Sequence, residues 1–282
     1  MREIEFTGER YLPSMTEMMI NLEHLSRYYA VAPYCRGKRV LDAACGMGYG
    51  SNHIADFAEH VTGIDIAPKV IEYDRKNYRK GNLNFLTASI EKLPFEDNSF
   101  DIVVSFETIE HVNSDIQHSF CEEVRRVLAP DGVFIVSTPD KKWYTDAHGN
   151  WKNQFHVHEF YYDEFKECLS GYFTNIEMLL QNIYPASIIW NRNSGAPLKI
   201  DGLRQTEENR IDQCIPQRFD YIIAVCGNGK IPDVASVMTV DVDYKLISDF
   251  IQPYIRRIQE LENLLKRTQY APVITVGAQS GI

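Results

Sequence analysis

Closely spaced cysteines are missing from this chain of 282 residues. Its six cysteines are scattered, and no two of them form a C-x-x-C pair. A zinc knuckle depends on such pairs, so none is expected. The scatter is typical of small buried side chains in a reducing cytosol, and we therefore expect a cytoplasmic protein.

Long apolar runs are also missing. No stretch of about 18 consecutive apolar residues occurs, so the sequence predicts no transmembrane helix. Residues 1–10 are charged and lack the apolar segment of a secretion signal. The hydrophobic content of 44% is nonetheless ordinary for a globular protein, so a sizeable core can be buried.

Basic residues are fewer than acidic ones. The chain has 29 lysines and arginines against 39 acidic residues, with a formal net charge of -10. Proteins bind nucleic acids largely through Lys and Arg side chains that neutralise phosphates. The composition therefore disfavours tight binding to long nucleic acid, although it leaves room for a local basic groove.

Strand and helix patterns alternate through the middle of the sequence. Apolar segments predict strands at 39–42, 60–65, 83–86, 100–106, 133–137, 173–181 and 221–226. Helices are predicted at 21–35, 51–59, 68–79, 116–128 and 163–169. Repeated units of this kind imply an α/β fold with a Rossmann-like, doubly wound sheet of seven mostly parallel strands.

The chain divides into three parts. Residues 1–35 form an N-terminal arm and helix, 36–230 the main domain, and 231–282 a C-terminal helix and tail. Within the main domain, residues 184–217 are predicted to be an irregular insertion of the kind that often carries substrate specificity.

The C-terminal helix carries a short heptad seam. Its positions are Ile251, Tyr254, Ile258, Leu261 and Leu265. The seam indicates either a helix packed on its own domain or a short coiled coil that makes a homodimer. It is only about two repeats long, so both interpretations remain open.

A glycine-rich loop follows the first predicted strand. Gly46 and Gly48 let the backbone pass close beneath a ligand, where a Cβ atom would clash. A dinucleotide loop would have the spacing G-x-G-x-x-G, whereas this one is G-x-G-x-G after Asp42. An acid at that position suits a cationic ligand better than a pyrophosphate. Asp65, at the end of the second strand, is placed to bind ribose hydroxyls.

This loop resembles motif I of class I S-adenosylmethionine-dependent methyltransferases, and the resemblance extends over about residues 36–182. It implies an enzyme that uses S-adenosylmethionine, with residues 36–230 as its methyltransferase domain. The implied cofactor-binding residues are Asp42, Ala44, Gly46, Gly48, Tyr49, Asp65, Ile66, Ser89, Ile90 and Phe106. One departure is Ser89, which stands where many relatives have Asp near the adenine amino group.

An E-x-x-E-H segment follows the fourth strand. In a doubly wound sheet, ligands bind outside the carboxyl ends of the strands, which is where Glu107, Glu110 and His111 are expected. If the segment opens a helix, both glutamates lie on one face. Two carboxylates beside an imidazole suit a divalent cation.

The same spacing resembles the metal-binding segment of ubiquinone-biosynthesis O-methyltransferases and small-RNA 3′-terminal 2′-O-methyltransferases. Those families add a downstream histidine, which here is His156, with His158 as the alternative. The resemblance implies the metal ligands Glu107, Glu110, His111 and His156, and catalysis by His111, His156 and Glu107. Mg²⁺ or Mn²⁺ is favoured, and zinc, iron and nickel stay open. A metal-free enzyme with His111 or His156 as general base is the alternative.

The acceptor is expected to be a small molecule or glycan. Residues 6–10 and 23–28 resemble bacterial methyltransferases of surface-polysaccharide synthesis, which makes Arg10 and His24 candidate cofactor-carboxylate or substrate contacts and Tyr28 a packing residue. Aromatic residues are dense between 143 and 162 and could stack on a sugar or pack the core. We therefore favour a sugar hydroxyl in a vicinal diol. An RNA ribose 2′-O-methyltransferase and a non-catalytic scaffold are the alternatives.

Overall fold

The computed structural model describes residues 18–149, 152–184, 202–205, 211–214, 218–233 and 256–261. The predictions for Arg10, for Trp151 and for most of the C-terminal heptad seam, including the homodimer, lie outside these residues. Among the described helices, none combines the length and the apolar character needed to cross a bilayer.

Within the described residues, the helices and strands of residues 18–227 are named here. The helices are α1 (Met18–Val31), α2 (Tyr49–Ile54), α3 (Pro68–Asn77), α4 (Ser114–Val127), α5 (Lys141–Tyr144) and α6 (Tyr162–Ser170). The strands are β1 (Arg39–Ala43), β2 (His60–Asp65), β3 (Leu83–Thr87), β4 (Phe100–Phe106), β5 (Leu128–Pro139), β6 (Asn175–Gln181), β7 (Gly202–Gln205), β8 (Ile211–Cys214) and β9 (Tyr221–Gly227).

The main sheet has seven strands in the order β3-β2-β1-β4-β5-β9-β6. Strands β1 to β5 pair in parallel, whereas β9 is antiparallel to both of its neighbours. The expected Rossmann-like sheet of mostly parallel strands is confirmed. In this order, β2 lies on one side of β1 and β4 lies on the other. The strand order therefore reverses direction between β1 and β4, and a cleft opens at the carboxyl ends of these two strands.

Apolar side chains are buried on both faces of the sheet. One cluster joins Phe120 and Val124 of α4 to the sheet residue Phe134 and to α6. The other joins Tyr28 of α1 and Ile54 of α2 to the opposite face. Helices therefore cover the two faces, and the strands between them are continuous apolar runs because both of their sides are buried.

The observed bounds differ from the predicted ones at several elements, and two cases change the description of the sheet. Strand β5 begins at Leu128 rather than Val133, because the ladder starts at Phe100 opposite Leu128 and resumes at Ile102 opposite Val133. The stretch 129–132 is therefore an irregularity within the strand. The expectation that 184–217 is irregular was wrong in part, since β7 and β8 form an antiparallel pair there.

Candidate active site

A cavity of about 420 Å³ opens at the carboxyl ends of the parallel strands. It brings together twelve of the residues that the sequence singled out, namely Ala44, Gly46, Tyr49, Asp65, Ile66, Ser89, Ile90, Phe106, Glu107, Glu110, His111 and His156. His24 and Tyr28 of α1 also line it. Asp42 and Gly48 do not reach it.

The two glycines of the glycine-rich loop have different structural roles. Both adopt left-handed backbone, with φ of 54° at Gly46 and 65° at Gly48. A Cβ at Gly46 would meet no protein atom within 4 Å, whereas one at Gly48 would lie 2.8 Å from Cγ of Asp74 and 2.9 Å from Cζ of Phe85. Gly46 therefore leaves bare backbone at the cavity, and Gly48 lets the loop pack onto α3 and β3.

Asp42 lies behind the cavity wall. Its carboxylate accepts hydrogen bonds from Ser51 Oγ at 2.5 Å and from Tyr28 Oη at 3.2 Å. Burial raises the pKa of Asp42 to about 7. Since Tyr28 lines the cavity and Asp42 does not, Asp42 holds the wall in place from behind.

The ends of β2 and β3 supply the next part of the wall. Asp65 Oδ1 accepts the Ala67 N–H at 2.8 Å, which fixes the turn into α3. The N–H of Ala88 donates to the Asp65 carbonyl at 3.1 Å and joins the two loops. Ile66 is exposed and Ser89 lies beside it on the wall, so this end combines an apolar side chain with polar hydrogen-bonding groups.

Glu110, His111 and His156 form a group whose candidate ligand atoms all lie within 4.8 Å of one another. Glu110 and His111 belong to a 3-10 turn after β4, and the N–H of Val157 donates to the Glu110 carbonyl at 2.8 Å. Glu110 Oε2 accepts from Thr138 Oγ1 at 3.2 Å, while the buried Oε1 has no hydrogen-bond partner. Burial raises the pKa of Glu110 well above its usual range.

The hydrogen bonds of the two histidines fix their tautomers. His111 Nδ1 lies 3.0 Å from the Phe155 carbonyl, which can only accept, so the ring proton is on Nδ1. His156 Nδ1 lies 2.6 Å from Glu159 Oε1, and its Nε2 lies 3.1 Å from Asn153 Nδ2. Each Nε2 atom therefore carries a lone pair, and that of His156 accepts a hydrogen bond from Asn153, which a metal ion at this atom would replace.

Glu159 was given no role by the sequence analysis. It holds the His156 ring through Oε1, and its Oε2 accepts from Thr145 Oγ1 at 2.7 Å. Carboxylates that orient metal-ligating histidines in this way are common in metalloproteins. Its position three residues after His156 matches the spacing that pointed to His156 in the sequence, but that spacing did not indicate that the carboxylate orients the ring.

His158 is held outside this group. Its Nδ1 lies 2.9 Å from Gln117 Oε1, and its ring packs on Phe160 with centroids 4.8 Å apart. His156, not His158, therefore lies beside Glu110 and His111.

Glu107 lines the same cavity but is turned towards other partners. It has a left-handed φ of 52°, so the segment does not open an α-helix and the two glutamates do not share a helical face. Glu107 Oε1 accepts from Ser137 Oγ at 2.6 Å and lies 3.3 Å from Arg27 Nη1. In the described residues, the structure brings together three of the four expected ligands and leaves Glu107 paired with Arg27.

A buried polar cluster of α1 and β9, which the sequence analysis missed, forms another wall. Tyr221 Oη donates to Glu23 Oε2 at 2.8 Å, and the Arg27 guanidinium lies 4.4 Å from the Tyr221 ring centroid. Burial raises the pKa of Glu23 to about 7. Burial also lowers the pKa of His24 to about 3, so this histidine is neutral.

The aromatic residues between 143 and 162 are divided between wall and core. Tyr144 lines the cavity and stacks on the His156 ring with centroids 5.5 Å apart. Phe160 is buried in the core. Of the described aromatic residues in this segment, Tyr144 is the one that reaches the cavity.

This arrangement of sheet, glycine loop and cavity has counterparts among known proteins. Residues 41–136 match the family described as "Methyltransferase domain". Over these residues the chain therefore carries a methyltransferase domain. The PH0226 protein of Pyrococcus horikoshii OT3 has a similar fold, with a TM-score of 0.53 and 21% identity over 79% of this chain and 96% of that chain.

Curated relatives of the domain carry names of the same kind. A "Probable S-adenosylmethionine-dependent methyltransferase" of Mycolicibacterium smegmatis is 36% identical over 167 residues, covering 59% of this chain. A "Probable phthiotriol/phenolphthiotriol dimycocerosates methyltransferase 2" of Mycobacterium ulcerans is 35% identical over 115 residues, or 39% of this chain. The matches span 63% and 44% of those two relatives.

Proposed function

We propose that this protein is an S-adenosylmethionine-dependent O-methyltransferase that a divalent metal ion assists and that methylates a sugar hydroxyl. The observation that carries the proposal is the meeting of two features in one cavity. The bare glycine loop lies on its wall, and so does the group of Glu110, His111 and His156. A methyl donor and an activated hydroxyl have to meet in such a place.

The described residues fit the cofactor. Gly46 leaves room at the cavity where any other residue would place a Cβ. Asp65 would accept hydrogen bonds from ribose hydroxyls, and Ile66 and Ser89 would contact the adenine. When bound, the cofactor supplies a methyl group on a positively charged sulfur.

The donor set also fits a divalent cation. Glu110 Oε1 is buried without a hydrogen-bond partner, and two imidazole rings with deprotonated Nε2 atoms lie beside it. A bound cation lowers the pKa of a coordinated hydroxyl. Glu159 orients His156 and the Phe155 carbonyl orients His111. A bound cation would replace the hydrogen bond that Asn153 donates to His156 Nε2. With two imidazoles among three ligands, Mn²⁺ fits better than Mg²⁺.

A metal-free reaction is the second candidate, and one contact favours it. The His156–Glu159 pair has the geometry of a general base held by a carboxylate, in which His156 Nε2 would act after giving up its hydrogen bond from Asn153. Activity that survives prolonged treatment with EDTA would support this candidate and contradict metal assistance.

The walls favour a neutral acceptor. No lysine or arginine is among the described residues that line the cavity, and an RNA substrate would need such side chains near its phosphates. Tyr144 offers a ring face on which a sugar can stack.

Calorimetry with S-adenosylhomocysteine tests the cofactor site. We expect Asp65→Asn to weaken binding by about 10- to 100-fold, because a charged acceptor of two hydroxyl hydrogen bonds is lost. Asp97→Asn, an exposed change of the same kind, is the control and should bind normally. Wild-type protein that does not bind S-adenosylhomocysteine would instead support a non-catalytic scaffold.

Glu159→Gln tests the metal site without removing a ligand. Losing the charge that orients His156 should weaken Mn²⁺ binding by about 10- to 100-fold. Electron paramagnetic resonance of unbound Mn²⁺ measures this affinity, and Glu167→Gln on the exposed side of α6 is the control. Equal affinities in Glu159→Gln and wild type would contradict the orienting role.

A further inference from the structure

Glu23 is a buried carboxylate in the cavity that the proposed reaction does not use. It belongs to α1 and is 7% exposed, yet it lies on the cavity wall. Burial opposes its charge and raises its pKa, and the nearby Arg27 offsets part of that effect. A carboxylate kept in such a place needs hydrogen-bond donors around it.

A chain of contacts joins Glu23 to the candidate metal group. The His156 ring stacks on Tyr144 at 5.5 Å, and the Tyr144 ring lies 5.9 Å from that of Tyr221. Tyr221 in turn donates its hydroxyl hydrogen to Glu23 at 2.8 Å. Two tyrosine rings therefore form one wall, with His156 at one end and Glu23 at the other.

The charges on this wall determine which kind of ligand the cavity can bind. Arg27 is fully buried and packs on the Tyr221 ring, and it is not among the cavity-lining residues. A ligand in the cavity therefore meets the carboxylate oxygens of Glu23 rather than the guanidinium. A carboxylate accepts hydrogen bonds and repels anions, so a neutral hydroxyl group suits it and a phosphate does not.

We propose that Glu23 is a specificity-determining residue that binds a second hydroxyl group of an uncharged pyranose acceptor while Tyr144 and Tyr221 pack against the ring. The methylated hydroxyl lies at the metal end of the same wall. This inference rests on the proposed function and adds to it a contact point and a class of acceptor, a pyranoside without phosphate.

Steady-state kinetics on a defined panel tests this inference. The panel contains methyl α-D-mannopyranoside, methyl α-L-rhamnopyranoside, methyl β-D-galactopyranoside and mannose 6-phosphate, and the readout is release of S-adenosylhomocysteine. For the best neutral glycoside at about pH 8, above the pKa of Glu23, Glu23→Gln should raise KM by about tenfold, because a charged hydrogen bond is replaced by a neutral one. The values of kcat and of Kd for S-adenosylhomocysteine and Mn²⁺ should stay close to those of the wild type.

Glu23→Asp separates a direct contact from an effect on Arg27. Aspartate keeps the charge beside Arg27 but withdraws the carboxylate from the cavity. A direct contact predicts a raised KM in both variants, whereas a purely electrostatic role predicts a raised KM in Glu23→Gln alone and overturns the inference. Thermal unfolding confirms that both variants are folded.

The remaining outcomes are also decisive. An unchanged KM in Glu23→Gln, or a preference for mannose 6-phosphate over the neutral glycosides, overturns the inference. The same holds if wild-type protein binds S-adenosylhomocysteine and Mn²⁺ but methylates no neutral glycoside of the panel. Failure to bind either of those two ligands would instead be a failure of the proposed function.

Discussion

Glu110→Gln should raise the Kd for Mn²⁺ by about 100-fold or more and should also stabilise the metal-free protein. The first effect follows because a carboxylate ligand is lost, which costs at least as much as losing an outer carboxylate. The second follows because burial raises the pKa of Glu110 well above its usual range, so folding at neutral pH requires the site to bury a charge or take up a proton. Glutamine stays neutral in both the folded and the unfolded state and escapes this cost.

The two effects need separate measurements on one variant. Paramagnetic resonance of unbound Mn²⁺ gives the metal affinity, and urea unfolding in EDTA gives the free energy of unfolding. Glu122→Gln removes the same charge from the exposed side of α4 and should change neither value. Unaltered Mn²⁺ affinity in Glu110→Gln would remove Glu110 from the ligand set, and a loss of stability would mean that Oε1 has a stabilising partner.

A loss of Mn²⁺ affinity together with a gain in stability would indicate that Glu110 serves function at the expense of stability. A carboxylate that costs folding free energy persists when it serves binding or catalysis. Glu110 meets this description better than Glu107, whose carboxylate is compensated by Ser137 and Arg27.

Local sequence patterns predict the fold well for strands that are buried on both faces of the sheet. The bounds of β2 and β4 match the sequence prediction, and both strands are buried along most of their length. Strand β5 starts five residues earlier than expected, since Pro130 and Gly132 look like a turn in the sequence. The pairing of Phe100 with Leu128 that extends the strand is a tertiary contact that local patterns do not encode.

The sequence predicts which residues come together in the site, because the order of strands and helices determines this. Residues that follow parallel strands reach one edge of the sheet, so Gly46, Asp65 and Glu110 were expected together. The direction of each side chain was not predictable in the same way. Glu107 turns towards Arg27, which is far away in sequence, through a left-handed backbone that only the structure reveals.

Glu23 and Tyr221 illustrate the same limit. They are separated by 198 residues. Glu23 belongs to the 23–28 segment, whose resemblance gives it no role, and Tyr221 belongs to no motif. Their contact depends on β9 entering the sheet between β5 and β6 and on α1 packing against it. A single sequence holds no signal for a pair of this kind.

Asp74→Asn should make the protein increasingly more stable than wild type as the pH rises from about 5 to about 8.5. Asp74 is fully buried beneath Gly48, and its Oδ1 has no hydrogen-bond partner. Burial, with help from the charges of Asp65 and Asp42, raises its pKa from 3.8 to about 8. The folded protein therefore holds this proton more tightly than the unfolded chain does.

The sign of the effect follows from that difference in proton affinity. Below about pH 4 both states are protonated, and Asp74 carries no electrostatic penalty. As the pH rises through the unfolded pKa towards the folded pKa, the unfolded chain ionises first, and wild-type stability falls until the pH passes about 8. Asparagine cannot ionise, so the variant escapes this loss, which we expect to be about 2 kcal/mol after local relaxation.

Urea unfolding at both ends of that pH range measures the effect, and Asp101→Asn is the matched control. Asp101 is paired with Arg39, whose hydrogen bond lowers its pKa, so its contribution is lost only at acidic pH and stays constant across the range. Because Asp74 lies under the glycine loop, its ionisation should also weaken S-adenosylhomocysteine binding above about pH 8 in wild type but not in Asp74→Asn. A stability difference between Asp74→Asn and wild type that does not vary with pH would mean that Asp74 titrates normally and that its charge does not act on the loop.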